Sequence, residues 1–203
     1  MSRTSKIVLF SILLIIAIAD QRGFFEERFV SNNDTSGDYS EYIEKTPCND
    51  AITKRDFLIN NPRPTNGFSP YDAWVGRGAY NNNSNNSFKI ENSNQTDAVV
   101  LLVNAYSERK IRNEYIRKGQ SFDMTGVPNG TYYLQWTSGN TWDPNKTVGS
   151  MTGGFICDES FTKTQNSNDW MTVRGDQIWT VTLYSVTGGD VESEDINAFE
   201  FSD

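Results

Sequence analysis

Cys48 and Cys157 are the only cysteines in the 203-residue sequence, and it contains no histidine. Without an imidazole there is no Ser-His or Cys-His nucleophile pair, no His-containing zinc site and no residue with the commonest general-base chemistry. Two thiols are too few for a four-thiolate zinc site. They are either one disulfide closing a long loop, stabilising the fold by about 2–4 kcal/mol, or two separately buried thiols. Glu108, Glu114 and Asp123 are carboxylates available for acid/base work, but they fall on expected strands or turns with no recognisable pairing. Oxygen-rich clusters occur at Asn140, Asp143 and Asn145 and again at Asp190, Glu192, Glu194 and Asp195. Neither matches the spacing of a calcium loop with its bidentate Glu at position 12, so no metal or cofactor is expected.

Aromatic residues offer binding rather than catalysis. Trp136 and Trp179 are in phase with Leu134 and Leu183 and read as core. Trp142 lies among turn-formers in residues 138–145, where no strand is expected to bury it, and Trp170 is similarly placed. Trp142 and Trp170, with Asn140 and Asp143, are therefore the candidate ligand-binding residues, for a glycan stacked on flat rings. Arg109, Lys110, Arg112, Arg117 and Lys118 make a basic segment in an acidic chain. It reads as an edge strand guarded by charge or, through Arg109, Arg112 and Arg117, as a docking site for an acidic protein partner.

The formal net charge is −8 at pH 7; residues 1–19 hold Arg3 and Lys6 and no acid, so without them it is −10. Such a surface repels nucleic-acid backbones and anionic lipid heads. Residues 1–6 are basic, residues 7–16 are apolar apart from Ser11, and Ala17-Ile18-Ala19 precedes Asp20. That order is a secretory signal peptide or, if retained, a membrane anchor over residues 7–19. Thirteen helical residues rise about 20 Å against a hydrocarbon core of roughly 30 Å. No Cys follows the apolar run, which argues against a lipid-modified N-terminus. Either way the body is exported, periplasmic or extracellular, and meets a membrane only through this segment.

The elements follow from composition and periodicity. Residues 20–45 form a flexible acidic spacer, interrupted by Phe24, Phe25 and Phe29. Thr46-Pro47 predicts a helix over 47–60, stopped by Pro62, and Ser69-Pro70 predicts one turn through Trp74. Strands are expected at Phe88–Ile90, at residues 98–106, which are apolar on both faces, at 109–117, around Phe122 and Met124, at 130–137, at 155–161 and at 178–186. About seven strands at hairpin spacing give a mostly β fold, an antiparallel Greek-key sandwich over residues 46–190, with 191–203 as an acidic C-terminal tail.

Within it, Phe122, Met124, Val127-Pro128, Gly130, Tyr132 and Leu134 form a strand-turn-strand pattern in which Pro128 fixes φ and Gly130 supplies a positive φ. Over residues 99–136 it resembles the hairpin of transthyretin-like sandwiches, the group containing the carboxypeptidase regulatory domain and Cna-B-type repeats. The Asn-rich, aromatic-rich style is also similar to exported Bacteroidota chains of unassigned function. The resemblance implies a structural, adhesive or docking module with no catalytic residues to carry over. The Lys-Asn crosslink of Cna-B repeats is not transferred to any residue of this chain. The expected function is thus a non-catalytic, exported or tethered interaction module of the cell envelope with a protein partner. A carbohydrate-binding module is the alternative, and an enzyme with unrecognised carboxylate chemistry a second one.

Overall fold

The computed structural model describes residues 44–184 and 191–203. The signal or anchor segment, the spacer as far as residue 43, and residues 185–190 lie outside the described residues.

The fold is mostly β, with two sheets and a short helix. The elements in chain order are α1 (Ala51–Asn60), α2 (Asp72–Val75), β1 (Ser87–Glu91), β2 (Asp97–Asn104), β3 (Lys110–Ile116), β4 (Ser121–Thr125), β5 (Gly130–Val148), β6 (Met151–Thr164), β7 (Met171–Val173), β8 (Ile178–Thr182), β9 (Ser193–Asp195) and α3 (Ala198–Ser202). The larger sheet runs β3-β2-β5-β6-β9, with β7 also paired to β5; the smaller runs β4-β1-β8. All described pairs are antiparallel except β1 with β8, which are parallel.

Strand β2 shows why the larger sheet has two covered faces. Seven of its eight residues are buried. Val100 and Leu102 face the smaller sheet, packing with Phe88, Ile90, Met124, Leu134 and Val181. Val99, Leu101 and Val103 face the other way, into a second core with Tyr71, Tyr115, Trp142, Phe155 and Phe201. A strand apolar on both faces requires cover on both, and here a sheet supplies one cover. The other comes from the chain around α2 and from α3.

Residues 191–203 are therefore not a solvated tail. Strand β9 pairs with β6, and Phe201 of α3 is fully buried, 5.3 Å from the Phe161 ring and 6.0 Å from that of Tyr71. Acidic side chains hid this: Glu194 and Glu200 both bind Lys163, while Ile196, Ala198 and Phe201 turn inward.

Helix α1 starts later than expected, capped by Asp50, whose Oδ1 accepts from the Thr53 amide at 2.9 Å. It ends before Pro62, as the sequence predicts. It buries no residue, and Ile52 and Ile59 are exposed. Cys48, just before it, is bonded to Cys157 of β6, with Cα atoms 5.5 Å apart.

The segment that resembled a hairpin crosses between sheets. Strand β4 pairs with β1 in the smaller sheet, whereas β5 pairs with β2 in the larger one. The positive φ belongs to Gly126, at +66°, and not to Gly130. Tyr132 reaches back so that its hydroxyl donates to the Pro128 carbonyl at 2.9 Å, pinning the crossing.

Candidate functional site

Trp142 is not an exposed loop residue. Strand β5 continues through it to Val148, and Trp142 is 4% exposed, between Phe155, 5.1 Å away centroid to centroid, and Tyr115 at 5.5 Å. The turn-forming residues that suggested a loop are absorbed as register shifts between Ser138 and Asn140 and between Asp143 and Thr147. A Cβ on Gly139 would lie 2.5 Å from the Cβ of Phe155, so the glycine lets that ring lie on the strand backbone. Asn140 donates to Asp158 at 3.1 Å, and Asp143 accepts from the Asn145 amide at 2.8 Å. Both are half-buried side chains of a long hairpin, engaged with their own neighbours.

The three arginines do not share a surface. Arg109 is exposed at the start of the return from β2. Arg112 is 3% exposed: its Nε donates to Glu114 at 2.6 Å, an Nη donates to the Thr125 carbonyl at 3.0 Å, and its guanidinium covers the Tyr80 ring at 4.3 Å. Arg117 donates to the carbonyls of Pro64 and Arg63. Edge strand β3 is covered by the preceding chain, with Tyr115 bridged to Phe68 and the Ala79 amide donating to Ile111. That cover turned Arg112 into an internal clasp and Arg117 into a half-buried one.

Two buried carboxylates stand out. Asp97 accepts from Arg63, from the Tyr115 hydroxyl and from the Lys118 amide. Burial works to raise its pKa, but these donors together hold the carboxyl below its usual range. Glu114, 1% exposed, shows the reverse: burial and the nearby Asp72 push it up to about 7 against the attraction of Arg112. Its Oε2 is buried without a hydrogen-bond partner among the described residues.

Asn140 and Trp142 line a small cavity of about 230 Å³ beside Arg63 and Asp97, whereas Trp170 reaches a larger open site. A groove of about 670 Å³ lies on the outer face of the larger sheet beside α3. Trp170 and Tyr133 form one wall, their rings 24° from parallel with centroids 6.2 Å apart, and Tyr106 meets Trp170 edge-on. Gln135, Lys110 and Lys163 also line it. Lys163 is held by Glu200 at 2.5 Å and Glu194 at 3.1 Å. Parity places these residues together: Tyr133 and Gln135 point opposite to Tyr132 and Leu134, which fill the inner core. The alternation of β5 was legible in the sequence; that Trp170 returns to Tyr133 was not, because it depends on the short strand β7 pairing with β5. Among the described residues no group of three or more His, Cys, Asp or Glu side chains is arranged to hold a metal ion.

No family model matches the chain, and no solved structure matches it. A segment of 115 residues, 56% of the chain, is 24% identical to an uncharacterized lipoprotein of Mycoplasma genitalium. The match covers 9% of that protein's length. Among the described residues no helix is long and apolar enough to cross a membrane.

Proposed function

We propose that the body from residue 44 onward is a non-catalytic interaction module, exported and held at the cell envelope, where it engages a protein partner. The Cys48–Cys157 bond carries the reading, because structural disulfides persist in oxidising compartments outside the cytosol. Residues 1–19 have the order of a signal or anchor and supply the route of export. That the Mycoplasma relative is a lipoprotein supports an envelope setting. Lipid attachment itself is not part of the proposal: Cys48, the first cysteine, lies far beyond the apolar run and is bonded to Cys157. Of the carboxylates considered for acid/base work, Glu114 is engaged by Arg112 inside the fold, which supports a non-catalytic role.

Cell fractionation of the source organism, protease shaving of intact cells and non-reducing peptide mapping test this. A cell-surface or envelope-associated protein carrying the Cys48–Cys157 peptide is expected. A cytosolic protein with both thiols free would overturn the reading.

A further inference from the structure

We propose that the groove between Trp170 and α3 is a binding site for a neutral sugar or short oligosaccharide. The proposal goes beyond the protein-partner reading and adds a ligand of a different class to the same body.

The first support is shape. A groove of about 670 Å³ falls within the range of small-ligand sites and needs only a few placed polar groups to orient an occupant. Its wall includes the stacked Tyr133–Trp170 pair, whose rings combine apolar bodies with polar edges, the combination that suits a pyranose.

The second support is Gln135. It is 5% exposed, lines the groove, and its Oε1 is buried with no hydrogen-bond partner among the described residues. Leaving a buried carbonyl oxygen unpaired costs about 1–3 kcal/mol, which selection tolerates where a ligand restores the bond. A carboxamide offers two donors and an acceptor, and rotation about its broad terminal torsion exchanges them in the same volume. Turning the amide brings its oxygen to the groove, where a sugar hydroxyl can donate to it.

Charge selects the class. Lys110 and Lys163 share the lining with Glu108, Glu200 and Asp203, and Lys163 is already bridged by two carboxylates. The acids outnumber the ammonium groups, so an anionic ligand meets net repulsion. A neutral polyol does not.

The test is intrinsic fluorescence and calorimetric titration of the whole exported protein with glucose, galactose, N-acetylglucosamine, their β-linked disaccharides and galacturonate. At least one neutral sugar should bind saturably, with affinity falling at least tenfold in Trp170→Ala and in Gln135→Leu. Gln135→Leu replaces the unpaired amide by an apolar group and should fold, so the test survives if Trp170→Ala does not. Trp179→Ala, outside the groove lining, should bind as the parent does. Absence of binding by any of these sugars up to about 10 mM, unchanged affinity in both groove variants, or galacturonate binding more tightly than galactose would each overturn the proposal. A cytosolic location would sink the export reading and leave the titration standing, so the two failures are separable.

Discussion

Cys48 and Cys157 are joined across 109 residues, tying the chain ahead of α1 to the middle of β6. Helix α1 buries none of its own residues, so this bond and the Arg63–Asp97 pair on its far side bracket it against the body. The helix is held at its two ends rather than along its face.

Reduction should therefore act locally as well as globally. Cys157→Ser is expected to lower stability by about 2–4 kcal/mol in denaturant titration. It should also make the Lys54–Arg55 pair in α1 the first site of tryptic cleavage, while the rest of the body stays intact. Unchanged cleavage kinetics in that variant would show that α1 is secured by other contacts.

The Asp97 clasp predicts acid sensitivity. Its carboxyl titrates below its unfolded value, so the stabilisation is complete above the unfolded range near 3.8 and is lost as pH falls through the folded value. Asp97→Asn leaves Arg63 and the Tyr115 hydroxyl without their anion and should cost about 2–4 kcal/mol at neutral pH. Thermal melts of both proteins between pH 2 and 7 read it: the gap should close toward the acid end.

Glu114 works in the opposite sense. Its folded value of about 7 lies above the ordinary 4.5, so the folded state binds more protons between the two. Stability from this group is fully present below 4.5 and declines as pH rises through 7. Glu114→Gln removes that slope, and it leaves Arg112 without its anion, which should make the variant less stable at pH 8. Urea midpoints taken every half pH unit would separate the two effects. A parent curve flat from pH 5 to 8 would contradict the assignment.

Trp142→Ala should be among the most damaging single changes, at about 3–5 kcal/mol, because it empties the centre of the outer core. Trp170→Ala, at a half-exposed ring, should cost far less. Equal losses in chemical denaturation would mean that Trp170 is also a core residue.

The strands that alternate cleanly were legible in the sequence. Phe88 and Ile90 fill the inner core from β1, Tyr132 and Leu134 do so from β5, and the two-faced run in β2 is the central strand it was read as. What the sequence concealed was which surfaces the rest of the chain would cover. Trp142 stood among turn-formers that serve as bulges within a long hairpin. Arg112 looked exposed because the segment that buries it, around Tyr80, is remote in sequence. At β8 the error ran the other way: Trp179, in phase with buried Val181, is 38% exposed because β8 is the last strand of its sheet in the described residues. Its indole nitrogen donates to the Thr172 carbonyl instead, at 3.3 Å. Of the candidate site, Trp170 was legible, and Gln135 was not, since an unpaired amide is visible only once its neighbours are placed.

Phe201, seated against Tyr71 and Phe161, also sets an order of events during synthesis. The ribosome delivers β1 through β8 before α3, so the apolar face of Val99, Leu101 and Val103 stays incompletely roofed until Phe201 arrives. Long-range closures of this kind are slow, and the intermediate that waits for them exposes surface prone to self-association. The outer core is thus completed late in chain order, with this five-residue helix acting as its latch.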